Sequence, residues 1–182
     1  HLINNIDLSE TPYDQGVWTQ MKSTIISRLQ SRHAGESADI MAESEPWITL
    51  GSTRQMARHF FKRHLSSGDC FVATKQKTVV GFIVFYPERG FPIGGYIKAL
   101  GIHKQYRREG IGTALMRFAE TRIFRHWPNV FLLVSDFNVQ AQRFYRQLGY
   151  SKVGFIPDAV IRGHREWIYR KTKGPCGRYP SR

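Results

Sequence analysis

The stretch Tyr106-Arg107-Arg108-Glu109-Gly110-Ile111-Gly112-Thr113 holds the residue types and spacing best suited to chemistry. Gly110 and Gly112, one residue apart, let a backbone turn tightly and approach a ligand, because no Cβ intervenes. The apolar spacing that follows predicts a helix from about Gly110 to Phe124, with Ile111, Ala114, Leu115, Phe118 and Ile123 inward. A helix opens with unpaired N–H groups and the positive end of its dipole, so this start suits a diphosphate. Arg107 and Arg108 add positive charge at its edge. Taken alone, the same residues also fit an ordinary strand-to-helix turn. Two other phosphate loops are excluded by spacing. No Gly-Lys-Ser or Gly-Lys-Thr occurs, as a P-loop needs, and Leu115 stands where a dinucleotide fingerprint needs its third glycine.

The spacing that does fit is R-x-x-G-x-G, as Arg107, Gly110 and Gly112. Upstream stands Leu100-Gly101-Ile102. Downstream, the run from Asn138 to Tyr150 reads N-x-x-A-x-x-F-Y-x-x-x-G-Y. Together these resemble the GNAT N-acetyltransferase superfamily over roughly Asp39 to Lys173; Lys104 departs from the proline of many members. The resemblance implies a single-domain α/β fold: a mixed sheet flanked by helices, whose fourth and fifth strands splay apart after the phosphate loop. It implies acetyl-CoA as co-substrate and direct attack by a primary amine, with no acyl-enzyme. By the same resemblance, Arg107, Arg108, Gly110, Ile111, Gly112 and Thr113 bind the diphosphate. Backbone groups near Leu100 and Ile102 hold the pantetheine and polarise the acetyl carbonyl. Asn138 holds the cofactor arm or caps its helix, and Tyr145 is the general acid. A phenol has a pKa of about 10, so it stays protonated at neutral pH and can donate to sulfur.

The chain of 182 residues, 41% hydrophobic, can bury one good core. It has no apolar run of about 18 residues, as a membrane span needs. Two cysteines, Cys70 and Cys176, form no framework, which suits a reducing cytoplasm. His59 and His64 share no helix face well, so no metal site is expected. The formal charge of +13 fits a surface attracting polyanionic CoA, an acidic acceptor or nucleic acid, or a solvated basic surface. A nucleic-acid module is the weaker reading, because the arginines are scattered and no recognition motif appears. A non-catalytic acyl-CoA-binding regulator is the alternative to an enzyme.

The elements that must position these residues follow from periodicity. Residues 1–36 read as an N-terminal extension, with a helix from Asp14 to about Arg32 whose stripe is Val17, Met21, Ile25 and Leu29. It either packs on its own domain or binds a second copy as a homodimer. Residues 37–174 read as the acetyltransferase-like domain and 175–182 as a basic tail. Within the domain, Asp39 to Ala42 reads as a short strand. Ser52 or Thr53 caps a helix to about Leu65, with Met56, Ala57, Phe60 and Phe61 inward. Strands follow at Cys70–Thr74 and Val79–Tyr86, the second stopped by Pro87, and Glu88 to Gly95 reads as a loop. A central strand from Gly95 to His103 feeds the phosphate loop. A buried strand from Val130 to Ser135, a helix capped by Asn138, and a closing pair at Ser151–Ile156 and Glu166–Arg170 complete the domain.

Glu43, Glu45, Asp136 and Glu166 are the carboxylates nearest the expected opening and the candidates for a general base, with a water relay as the alternative. Trp47 and Tyr96 are expected beside the acceptor. The acceptor itself, a small-molecule or protein amine, is not written in these motifs.

Overall fold

The computed structural model describes residues 24–67 and 69–177. Seven strands form one mixed sheet in the order β1-β2-β3-β4-β5-β7-β6. They are β1 (Thr24–Arg28), β2 (Cys70–Lys75), β3 (Thr78–Phe91), β4 (Gly94–Ile102), β5 (Asn129–Ser135), β6 (Ser151–Pro157) and β7 (Arg165–Thr172). The helices are α1 (Ala34–Ala42), α2 (Arg54–Ser67), α3 (Ile111–Ile123) and α4 (Val139–Gln147). Every neighbouring pair of strands is antiparallel except β4 and β5. Parallel neighbours need a crossover, and α3 supplies it.

The parallel pair is short. Only Gly95, Tyr96 and Ile97 pair with Val130, Phe131 and Leu132. β4 runs on to Ile102 and β5 to Ser135 without pairing to each other, so the expected splay is present. Glycines hold the closed end tight. A Cβ at Gly95 would lie 2.5 Å from Ile123 Cγ2, and one at Gly94 would lie 2.6 Å from the Asn129 carbonyl oxygen. Larger residues there would push α3 and β5 away from β4.

Alternation along the strands builds two cores, one on each face. Ile83, Phe85, Ile97, Val130, Leu132 and Tyr169 pack against Leu115, Met116, Ala119 and Ile123 of α3 and Tyr145 of α4. On the opposite face Val72, Phe82, Val84 and Ala99 pack against Ala38 and Met41 of α1 and Ala57 and Phe61 of α2. Thr53 opens α2 as expected, its Oγ1 accepting from Met56 N at 3.2 Å.

Four local expectations are corrected. Thr24–Arg28 is a strand, not the end of a helix, and pairs with Phe71–Lys75. The open edge of β2 offers backbone partners to this segment, which outweighs the four-residue spacing of its apolar residues. Ile25 is accordingly 67% exposed while Leu29 is buried. Val17 and Met21, the rest of that stripe, lie outside the described residues. Asp39–Ala42 belongs to α1, because Ser37, Ala38, Ile40 and Met41 fall on one helical face against the second core. Met56 faces outward, while Ala57 and Phe61 face the core. Finally, β3 does not stop at Pro87 and there is no loop from Glu88 to Gly95. An irregularity between Tyr86 and Gly90 absorbs the proline, and pairing resumes at Gly90↔Gly95. A bulge of this kind accommodates a residue that cannot donate to the ladder.

Gly101 on β4 is required by packing. A Cβ there would meet the Phe82 ring at 2.4 Å. That ring is fully buried between Phe61 and Trp47, with centroids at 4.8 and 5.8 Å, so it has nowhere to retreat. Gly101→Ala is expected to lower unfolding stability by about 1–3 kcal/mol through overpacking, read from the midpoint of urea denaturation.

Candidate active site

The candidate site is built around the opening between β4 and β5. His103 N donates to the Val80 carbonyl, so the His103 backbone faces β3. Backbone groups alternate direction along a strand, so those of Gly101 also face β3, and those of Leu100 and Ile102 face the opening. The Ile102 carbonyl confirms the direction: it accepts from Arg107 Nε at 3.2 Å instead of from β3.

Arg107 therefore has a structural task beside its charge. Its other guanidinium nitrogen donates to Ser44 Oγ at 3.2 Å, tying the loop after β4 to the end of α1. Arg108 lies in the left-handed region (φ 70°), as does Gly110 (φ 79°), and the backbone curls through both. Glu109 between them points to Lys75 Nζ at 2.9 Å, so its negative charge is paired away from the glycines. Gly110 precedes the first residue of α3, and nothing lies within 4 Å of where its Cβ would be. The space before the helix is thus open. The first bond of the helix is Ala114 N to Gly110 O, which leaves the amides of Ile111, Gly112 and Thr113 ahead of the ladder. Ile111 is buried beneath them. Gly112 packs at the junction of three elements: its Cβ would lie 3.3 Å from Phe144 of α4 and 3.6 Å from Ile102.

Across the opening, Asn138 caps α4, with Oδ1 accepting from Ala141 N at 3.1 Å. Gln142 of the same helix donates to the carbonyls of Ser135 and Asp136, fixing α4 to the end of β5. Tyr145 is 9% exposed, between Phe144, Tyr150 and Tyr169. Burial, with a smaller contribution from Tyr96, pushes its phenol well above 10, so it is protonated throughout the neutral range. Tyr96, on the opposite face of β4 from Ile97, is pushed to about 12 by burial and by the charge of Glu166. Leu100 and Ile102 thus lie on the unpaired side of β4, the loop from Arg107 to Thr113 follows, and Phe144 beside Gly112 brings α4, which Asn138 opens and which carries Tyr145, against that loop.

The four candidate bases separate clearly. Glu43 is exposed and bridges Lys104 at 3.4 Å and Arg54 at 4.0 Å. Glu45 is exposed and accepts from Thr49 N. Asp136 accepts from His164 Nδ1 at 2.8 Å and from Arg165 N, and the histidine holds its carboxyl below the usual range. Glu166 is 7% exposed and accepts from Ser135 Oγ at 2.6 Å. Burial raises its pKa. His64 is committed to Phe60 O and the Tyr86 hydroxyl, and among the described residues no cluster could hold a metal. Sequence reasoning missed Ser44 and Ser135 as partners of Arg107 and Glu166. No local spacing marks either; only strand register and the fold of the loop bring them in.

The sequence model of the acetyltransferase (GNAT) family matches residues 37–150. An uncharacterized N-acetyltransferase of Methanocaldococcus jannaschii is 36% identical over 108 residues, covering 58% of this chain and 67% of the relative. An N-alpha-acetyltransferase of Sulfurisphaera tokodaii is 33% identical over 109 residues, covering 52% of this chain and 65% of the relative. The chain thus spans about two thirds of the length of these relatives. Among solved structures, Arabidopsis thaliana Naa50 in complex with the bisubstrate analogue CoA-Ac-MVNAL shares the fold, with a TM-score of 0.64 at 18% identity over 82% of this chain and 99% of that one.

The two hydrogen bonds of Arg107 hold the loop in place. Arg107→Ala is expected to cost about 1 kcal/mol of stability, and Arg107→Lys most of that, because an ammonium cannot span both acceptors. Denaturant unfolding of the two variants checks this.

Proposed function

The chain belongs to the acetyltransferase (GNAT) family, and from that premise we propose that it transfers an acetyl group from acetyl-CoA to a primary amine by direct attack. The observation that carries this reading is the opening between β4 and β5, with an unobstructed helix start at one side and a buried phenol at the other. An open space before Gly110 and three amides ahead of the ladder suit the diphosphate of CoA. Arg108 adds charge there, while Arg107 acts mainly by holding the loop.

The backbone groups of Leu100 and Ile102 supply the hydrogen bonds for the pantetheine arm, in the way an added strand would use them. They also polarise the acetyl carbonyl as negative charge develops on it. Because Arg107 already occupies one lone pair of the Ile102 carbonyl, Leu100 and the Ile102 N–H carry more of this task. Asn138 uses one lone pair of Oδ1 on the helix cap, and its Nδ2 is the donor it can offer the cofactor. Tyr145 donates to the departing sulfur. Its raised pKa makes it a weak acid, so the proton moves late, once the C–S bond is largely broken. No nucleophilic cysteine takes part: burial pushes the Cys70 thiol up to about 12. Cys70 and Cys176 are both free thiols, which fits action in the reducing cytoplasm. The acceptor is a protein N-terminus or a small-molecule amine; the resemblance to an N-alpha-acetyltransferase supports the first.

Calorimetry with CoA tests the cofactor site. Gly112→Asp sets a carboxylate beside the free amides and is expected to weaken CoA affinity at least tenfold; unchanged affinity would refute the site. Tyr145→Phe is expected to lower kcat about 10²-fold with little change in CoA affinity, since the ring still packs. Equal kcat in that variant, with chemistry rate-limiting, would remove Tyr145 from the mechanism.

A further inference from the structure

Glu166 is a largely buried carboxylate held through one of its two oxygens. Ser135 Oγ binds Oε1, and no described residue hydrogen-bonds Oε2. Oε2 is not one of the fully buried oxygens, so solvent or an incoming group can reach it.

Its position follows from register. The last pair between β4 and β5 is Ile97↔Leu132. Three residues further along each strand, about 10 Å, stand Leu100 and Ser135. Ser135 pairs with Glu166 on β7. Glu166 thus flanks the opening at the level of Leu100, whose backbone faces it. The side chains of Val130, Leu132 and Val134 fill the core beneath α3, so Ser135 and Glu166 point to the other face of the sheet. Tyr96 projects from that face of β4, and the Glu166 charge reaches its phenol. Tyr86 and Phe91 flank Tyr96, each with ring centroids 6.4 Å away. A carboxylate beside aromatic rings is the chemistry that receives an ammonium group. Glu43, Glu45 and Asp136 are each committed to other partners.

We propose that Glu166 receives the acceptor's ammonium group and takes its first proton, approaching the acetyl group from the face opposite Tyr145. This rests on the amine-acetylation reading above. The ammonium N–H bond breaks and its proton passes to Oε2 and then to solvent. The freed lone pair forms the N–C bond, and the C–S bond breaks with its electron pair on sulfur. Tyr145 gives its proton to that sulfur, and the second proton leaving the nitrogen restores the phenol. One proton is released overall. Burial, and less strongly the charge of Asp136, raise the Glu166 pKa, opposed by the Ser135 bond and by His164 when charged.

The sign of its effect on stability is also fixed. Its folded pKa lies above the unfolded value, so the fold loses stability as pH rises from about 4.3 through the folded pKa. Glu166→Gln keeps an acceptor for Ser135 and removes the charge, so at neutral pH it is expected to melt no lower than the wild type.

The test measures CoA release between pH 5.5 and 9 with three amines. These are a pentapeptide with a free N-terminus, the same peptide N-acetylated and carrying one lysine, and 2-phenylethylamine. The arm that turns over identifies the source of the ammonium. With it, Glu166→Gln is expected to lose about 10²-fold or more in kcat/KM and the acidic limb of the profile, with CoA affinity unchanged by calorimetry. Glu166→Asp, which keeps the charge, is expected to recover part of the activity and the limb. Wild-type turnover with Glu166→Gln within twofold overturns this inference and leaves the acetyltransferase reading standing. A wild type that binds CoA but acetylates none of the three overturns both.

Discussion

The divergence of β4 from β5 is the constraint on which the rest of the molecule depends. Three residues of parallel pairing close one end, and unpaired backbone opens the other. Unpaired backbone groups inside a sheet are costly unless something satisfies them. Here the demand is met on each side by a different device. Arg107 folds back on the Ile102 carbonyl, and Gln142 binds the carbonyls where β5 ends. Gly94 and Gly95 let β5 and α3 crowd the closed end. The same divergence leaves the Leu100 backbone without a strand partner on the β5 side.

The loop before α3 depends on ties that reach far along the chain. Ser44, at the end of the first helical region, holds Arg107, and Lys75 at the end of β2 holds Glu109. Both ties draw side chains away from the glycines. What remains at the helix start is backbone N–H, open space and the charge of Arg108. A basic protein of formal charge +13 adds a long-range field that favours a polyanion at such a place.

Each face of the sheet carries an apolar core and a buried carboxylate, in different settings. Beneath α3 and α4 the core is apolar, with tyrosines Tyr145, Tyr150 and Tyr169 buried in it. Tyr150 lies beside Glu120, itself paired with Lys171 at 2.7 Å, and burial drives that phenol up strongly. This second buried carboxylate is tied to a cation and belongs to the packing of α3 on β7. Among the described residues Glu166, on the other face, makes no ion pair, and its neighbours are a serine, a phenol and an acid–histidine pair. The two glutamates thus differ in partner: a lysine holds Glu120 and a serine holds Glu166.

By itself the sequence determined the loop, the strand before it, the helix after it and the order along the chain of the strands that follow. These features are local: Gly110 and Gly112 at a helix start, Asn138 at a cap and the apolar run from Val130 to Ser135 act through neighbours a few residues away. Tyr145 is a candidate for the same reason, as part of a spaced motif. Only the tertiary structure decided that Thr24–Arg28 is a strand and Asp39–Ala42 a helix. Short apolar segments take their state from the edge or core they meet, and a few residues carry too little propensity to resist it. The partners Ser44 and Ser135, and the burial and hydrogen bonds that distinguish Glu43, Glu45, Asp136 and Glu166, likewise came from the fold. Burial and hydrogen bonding fix a carboxylate's role, and both are set by strand register between residues far apart in the chain.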